Sequence, residues 1–293
     1  MPEAKATGMD GRIGVIGLGR MGRAIAGRLL AGGAEVSGWN RSALETAPVE
    51  VAATLGDLAA RSDILVLSLF DDAAVRDVMD ALVALPLEGK LIVDTSTVSP
   101  EVLIGFRGAV EAAGADAVDA PISGGPEMVA EGTAGIFLGG TATAAARAHP
   151  ILGAVSGNIV HAGPLGAGAA AKVVNNMMLC GIWQTLKEAL TLGQAAWLDT
   201  DTMLEFLSKS PAASPAILSR MDILSGQADR VGFPVSGAVK DTSLFLKVAE
   251  TLGVPTPVLE AGNASFRDAA NGGFADHDLS MMVRAAVTAR GAL

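Results

Sequence analysis

Cysteine, histidine, tyrosine and basic charge are the scarce components of this 293-residue chain, and each scarcity closes off a chemistry. The single cysteine, Cys180, rules out an internal disulfide and any multi-cysteine zinc site, and fits a reducing compartment. His149, His161 and His277 are too widely spaced to make a metal-ligand pattern, so no metal is expected. With no tyrosine, no phenol can act as a proton donor. The 21 basic residues against 31 acidic ones leave a net charge of −10, which argues against a nucleic-acid or anionic-membrane surface. Glycines and charges interrupt every apolar run before it reaches the ~18 residues of a membrane span. Residues 1–11 carry neither an apolar stretch nor a run of arginines, so they are read as a flexible tail without a targeting signal. A cytoplasmic protein is expected.

Apolar residues and glycine are abundant. Hydrophobic residues make up 50% of the chain and charged ones 18%, against about 25% charged in an average soluble protein, which excludes disorder as the main state. Glycine, at 36 residues, points to tight turns and close backbone approaches. At roughly 150 residues per domain, the length predicts two domains.

From Arg12 to His161 short apolar runs alternate with helix-like stretches. The runs are 12–17, 34–39, 63–69 and 90–94, followed by shorter ones at 117–119, 135–138 and 158–161. Such runs, without strict alternation, suit strands covered on both faces, as in a parallel sheet with crossover helices. Residues 12–165 therefore read as a doubly wound, Rossmann-type α/β domain. After Gly168 the strand-like runs stop. One long helix is expected within 166–197, with Asp199 or Thr200 capping the next. Further helices are expected around 202–208, 216–227, 235–252, 258–271 and 280–290. Residues 166–293 thus read as an all-helical domain joined to the first by the long helix.

Gly17-Leu18-Gly19-Arg20-Met21-Gly22 follows the first apolar run and opens a helix. In that setting Gly17 permits a tight turn, Gly19 lets a pyrophosphate approach the backbone, and Gly22 lets helix pack against strand. The plainer alternative is a glycine-rich turn. About twenty residues on, an NAD site usually carries Asp or Glu for the ribose 2′-hydroxyl. This chain has Asn40-Arg41-Ser42 there. Asn40 and Ser42 can donate to a 2′-phosphate and Arg41 can pair with it, so NADP is expected over NAD.

Two motifs carry the chemistry. In Asp119-Ala-Pro-Ile-Ser123-Gly124-Gly125, the unshielded amides at 123–125 can grip a carboxylate, or form an ordinary turn. At the start of the long helix, Gly163-x-x-Gly166-x-Gly168 leads to Lys172 and Asn176, one turn apart on one face. Lys172, set among alanines and valines, either snorkels to water or points into a cleft. In a cleft it can donate a proton to a carbonyl oxygen, with Asn176 holding that oxygen or the lysine. Asp71 and Asp72 read as helix-start caps, and Cys180 as core.

Together these motifs, with Asp94-Thr-Ser-Thr97-Val-Ser-Pro100, Lys240-Asp241 and Asp276-His-Asp-Leu-Ser280, resemble the β-hydroxyacid dehydrogenase family over nearly the whole chain. The resemblance implies Lys172 as general acid/base with Asn176 as partner, and Ser123, Gly124 and Gly125 on the carboxylate of a small substrate. It implies Leu69, Thr97 and Lys240 against the nicotinamide half of the cofactor, and Phe233 lining the substrate pocket, with Asp241 orienting the nearby helix or Lys240 rather than acting on substrate. It further implies interconversion of a small β-hydroxyacid and its semialdehyde, in a cleft between the domains. Departures from the family pattern are Leu69-Phe70-Asp71-Asp72 in place of Leu-Pro, and Gly237 in place of a common leucine, which is expected to enlarge the substrate end. Asn40-Arg41 resembles the NADPH-using branch that reduces glyoxylate and succinic semialdehyde. The alternatives are an imine reductase, against which Lys172 counts, a non-catalytic dinucleotide-binding sensor, and a 6-phosphogluconate dehydrogenase, for which the chain is short. The apolar helical half is expected to bury surface in a homodimer or homotetramer.

Overall fold

The computed structural model describes residues 11–291, so of the expected tail only Gly11 falls within the described residues. Four of the apolar runs form β1 (Ile13–Ile16), β2 (Val36–Trp39), β4 (Ile64–Leu67) and β5 (Leu91–Asp94). The shorter runs form β6 (Asp116–Asp119), β8 (Gly135–Gly139) and β9 (Asn158–Gly163). Two pairs of residues that carry no periodic signal add β3 (Glu50–Val51) and β7 (Ile122–Ser123). The strands make one sheet in the order β3-β2-β1-β4-β5-β6-β8-β7, with β9 beside β8. Pairing is parallel from β3 through to β6, antiparallel where β8 meets β6 and β7, and parallel again at β9.

The continuous apolar runs have a direct cause: both faces of the sheet are covered. In β4, Ile64 and Val66 belong to one core cluster while Leu65 and Leu67 belong to the other. The first cluster is closed by α1 (Arg20–Ala31) and α6 (Ala142–Val155). The second is closed by α2 (Leu55–Arg61), α3 (Asp72–Val83) and α4 (Glu101–Ala112). Between β7 and β8 lies the short α5 (Pro126–Glu131). The starts are capped by polar side chains: Thr54 with Asp57 at α2, Asp71 at α3 and Thr141 at α6.

The long helix α7 spans Ala167–Ala195, and the chain divides into two compact units within it, after Val173. Past it come α8 (Thr200–Ser208), capped by Asp199, then α9 (Pro215–Leu218) and α10 (Met221–Leu224). They are followed by α11 (Val235–Leu252), α12 (Pro257–Ala269), a π-helical turn at Ala270–Phe274 and α13 (Leu279–Gly291). The helix expected over 216–227 is broken in two because Arg220 leaves the helical region (φ −125°) and turns its guanidinium toward Asp278. The second unit has its own core, with Trp183, Leu186 and Leu190 of α7 packed among Val235, Phe266, Val283 and Val287, and Cys180 buried in it. No helix among the described residues is long and apolar enough to cross a membrane.

Candidate active site

The sheet order places β1 between β2 and β4, so the chain reverses direction of progress at the carboxyl end of β1. An open α/β sheet receives its ligands at such a switch point. Gly17 sits there with φ +94°, and a Cβ on it would collide with the Ser68 carbonyl. A Cβ on Gly22 would collide with the Gly17 carbonyl, so α1 can press this close to β1 only with glycine at 22. Gly19, by contrast, faces open space and caps α1, whose first turn carries no acid. The chain thus leaves a bare helix N-terminus facing an open cradle, the arrangement a pyrophosphate requires.

Asn40 is also engaged with the backbone on both sides. Its Oδ1 accepts the Leu18 amide at 3.0 Å and its Nδ2 donates to the Ser42 carbonyl at 2.9 Å, so it ties the glycine loop to the end of β2. Arg41 and Ser42 beside it are exposed. Arg23, missed in the sequence, reinforces the same tie by reaching from the Leu18 carbonyl to Thr46.

The ends of β4 and β5 are stitched together beside this cradle. Thr95 Oγ1 donates to the Leu67 carbonyl at 2.7 Å and the Leu69 amide donates to Ser96 Oγ at 2.9 Å. These bonds hold Leu69 and Thr97 at the end of adjacent strands. Behind them Asp94 is buried; one oxygen accepts the Ser96 amide at 2.9 Å and the other has no hydrogen-bond partner. Burial pushes the Asp94 carboxyl up to about 6, with the nearby Asp119 and Asp72 adding to the rise against the Ser96 bonds. Asp71 caps α3, as its sequence position predicts, and Asp72 accepts Ser99.

Lys172 is 7% exposed and its ammonium donates to the Ile122 carbonyl at 2.6 Å. Ile122 immediately precedes Ser123, Gly124 and Gly125, so the buried cation stands beside the loop read as a carboxylate grip. Lys172 therefore does not snorkel. Asp119, whose role the sequence left open, accepts the backbone amides that begin α7. Among the described residues no cluster of His, Cys, Asp and Glu is arranged to hold a metal ion.

In the helical unit, Asn176 Nδ2 donates to Asp241 Oδ2 at 3.0 Å, and Lys240 Nζ pairs with Asp241 Oδ1 at 3.0 Å. Asp241 thus binds both Lys240 and Asn176. The Phe233 ring lies across Gly237, in the space a side chain there would take. Phe233 is in turn set by Asp278, whose carboxylate accepts the amides of Gly232 and Phe233 and bonds Ser280 and Arg220. These donors, Ser280 foremost, hold the Asp278 carboxyl below its ordinary value although burial pushes the other way. Arg220, also stacked over Trp183, gave no signal in the sequence because its partner lies 58 residues away.

Comparison with known proteins agrees with this architecture. Residues 12–163 match the family described as the NAD binding domain of 6-phosphogluconate dehydrogenase. Residues 166–286 match the NAD-binding domain of NADP-dependent 3-hydroxyisobutyrate dehydrogenase. A 2-(hydroxymethyl)glutarate dehydrogenase of Eubacterium barkeri is 32% identical over 283 residues, covering 93% of this chain and 94% of the relative. A NAD-dependent L-serine dehydrogenase of Pseudomonas aeruginosa is 28% identical, with 92% and 96% covered. Among solved structures, the 3-hydroxyisobutyrate dehydrogenase of Mycobacterium tuberculosis with L-serine superposes with a TM-score of 0.84 at 25% identity, over 94% of this chain and 99% of that one.

Two outcomes follow from the buried carboxylates. The folded chain holds the Asp94 proton at pH values where the unfolded chain has released it, so stability falls as pH rises from about 4 to about 6. Asp94→Asn should therefore raise the unfolding free energy at pH 7.5 by roughly 2 kcal/mol, and by nothing below pH 4, in urea melts at both pH values. Asp278 has the opposite sign, and its stabilisation is present near neutrality and lost on acidification. Asp278→Asn should cost about 3 kcal/mol at pH 7.5 in the same measurement, since it leaves Arg220 half-buried without its anion.

Proposed function

The chain belongs to the β-hydroxyacid dehydrogenase family of NAD(P)-dependent oxidoreductases, and we propose that it interconverts a small β-hydroxyacid and its semialdehyde with NADP as cofactor. The observation that carries the reading is the buried Lys172 ammonium held against the Ile122 carbonyl, next to the amides of Ser123, Gly124 and Gly125. Bound NADP(H) takes or supplies the hydride. Lys172 gives a proton to the substrate's carbonyl oxygen during reduction and removes it from the hydroxyl during oxidation. The amides at 123–125 hold the substrate carboxylate, fixing the reacting carbon in orientation. Burial keeps Lys172 away from bulk water, so its charge acts at full strength on the developing oxyanion.

The residues fit the cofactor. The cradle at Gly17–Gly22 takes the pyrophosphate, Leu69 and Thr97 flank the nicotinamide half, and Arg41 and Ser42 receive the 2′-phosphate. Asn176, Lys240 and Phe233 keep the roles implied by the resemblance, with Asp241 and Asp278 orienting them. The exposed stripe of Val174, Met178 and Leu192 on α7 supports a homodimer or homotetramer.

Lys172→Ala should lower kcat by roughly 10²–10⁴ with three- and four-carbon semialdehydes while leaving the NADPH Kd unchanged. Wild-type turnover in that variant, or reduction of cyclic imines in place of semialdehydes, would defeat the reading. Arg41→Ala should lower kcat/KM for NADPH about 10- to 100-fold and leave that for NADH unaltered, as expected for one charge-assisted bond. Steady-state kinetics with both cofactors measures this, and an unchanged NADPH:NADH ratio would count against NADP.

A further inference from the structure

Asp119 stands at the end of β6, in the interior of the sheet between β5 and β8, and is 2% exposed. Its Oδ1 accepts the Gly166 amide at 2.7 Å and its Oδ2 accepts the Ala169 amide at 2.6 Å. The Gly166 amide immediately precedes α7 and the Ala169 amide lies in its first turn, so neither has a partner inside the helix. Both carboxylate oxygens are thus committed to the helix that carries Lys172, and the negative charge sits where the helix dipole favours it. There is no slack in the contact. A Cβ on Gly168 would collide with the Phe137 carbonyl of β8, and the same Cβ would fall 2.7 Å from the Asp119 carbonyl oxygen. Lys172 follows Ala169 by three residues, so the two share a side of α7. At the far end of its side chain the ammonium meets the Ile122 carbonyl, three residues beyond Asp119 on the same stretch of chain. One segment, 119–122, therefore grips the helix at its start and receives the lysine one turn later.

We propose that Asp119 is a positioning residue for the reaction, setting the depth and rotation of α7 so that the Lys172 ammonium reaches the reacting oxygen. The proposal rests on the reading of Lys172 as the proton donor. A displacement on the order of 1 Å at a catalytic group is enough to cost about 100-fold in rate. Asparagine at 119 has the right size but offers one acceptor oxygen, and turns an NH₂ group against one of the two amides.

The test is a double-mutant cycle on the full-length protein, with kcat for a semialdehyde and the NADPH Kd by fluorescence titration. Asp119→Asn should lower kcat about 10- to 100-fold with the NADPH Kd held within about twofold. In the Lys172→Ala background the same substitution should change kcat by less than about twofold, because the group it positions is gone. Equal losses in both backgrounds would show a general structural role and overturn the proposal, as would wild-type kcat in Asp119→Asn beside a slow Lys172→Ala. A fast Lys172→Ala would remove the reading of the lysine itself, and the positioning role with it. If Asp119→Asn does not fold, Asp119→Ser, whose single hydroxyl oxygen can accept at most one of the two amides closely, takes its place, and the same non-additivity with Lys172→Ala is expected. Additive losses there overturn the proposal equally.

Discussion

A cation buried among alanines and valines has to find an acceptor or lose its charge, and the bond from Lys172 to the Ile122 carbonyl meets that demand. Much of the α/β unit can be read as the means of making it. A backbone carbonyl holds the ammonium through its dipole, and in the proposed reaction the proton held there is the one transferred. A carboxylate in the same place would have formed a closed ion pair. The chain puts its carboxylate, Asp119, one helical turn away instead, on the amides that begin α7.

The remaining groups of the α/β unit share a second constraint, namely that the ends of parallel strands lie side by side. The glycine cradle, Asn40, Leu69, Thr97 and Asp119 follow β1, β2, β4, β5 and β6 or end them, and the sheet order brings them into one row. Cross-strand bonds from Thr95 and Ser96 keep that row rigid. Asp94 is the cost of the arrangement: a buried carboxyl with one oxygen unsatisfied, beside a second carboxylate on the neighbouring strand. In the helical unit Asp241 and Asp278 do comparable work with better partners, each carboxylate binding a cation and at least one other donor.

Legibility in the sequence followed the range of the interaction. Strands covered on both faces announce themselves as apolar runs, so seven of them could be read directly. The two-residue strands β3 and β7 could not, since two residues carry no period. The motif residues were legible as positions, but what some of them touch was not. That Asn40 also ties Leu18 to Ser42 shows only in the fold. Gly237 looks like a vacancy until the Phe233 ring is seen lying across it.

Composition and local periodicity by themselves determined the fold class and the glycine turn that opens α1, and marked Lys172 as a charge among apolar neighbours, because helix period, glycine spacing and an out-of-place charge are properties of neighbours along the chain. Only the tertiary structure decided that Asp119 holds the helix of Lys172, that Asp278 sets Phe233, and that Arg220 breaks a helix to reach Asp278. Those partners lie 45 to 58 residues apart, a separation at which the path of the chain through the fold, and not local sequence, determines which groups meet.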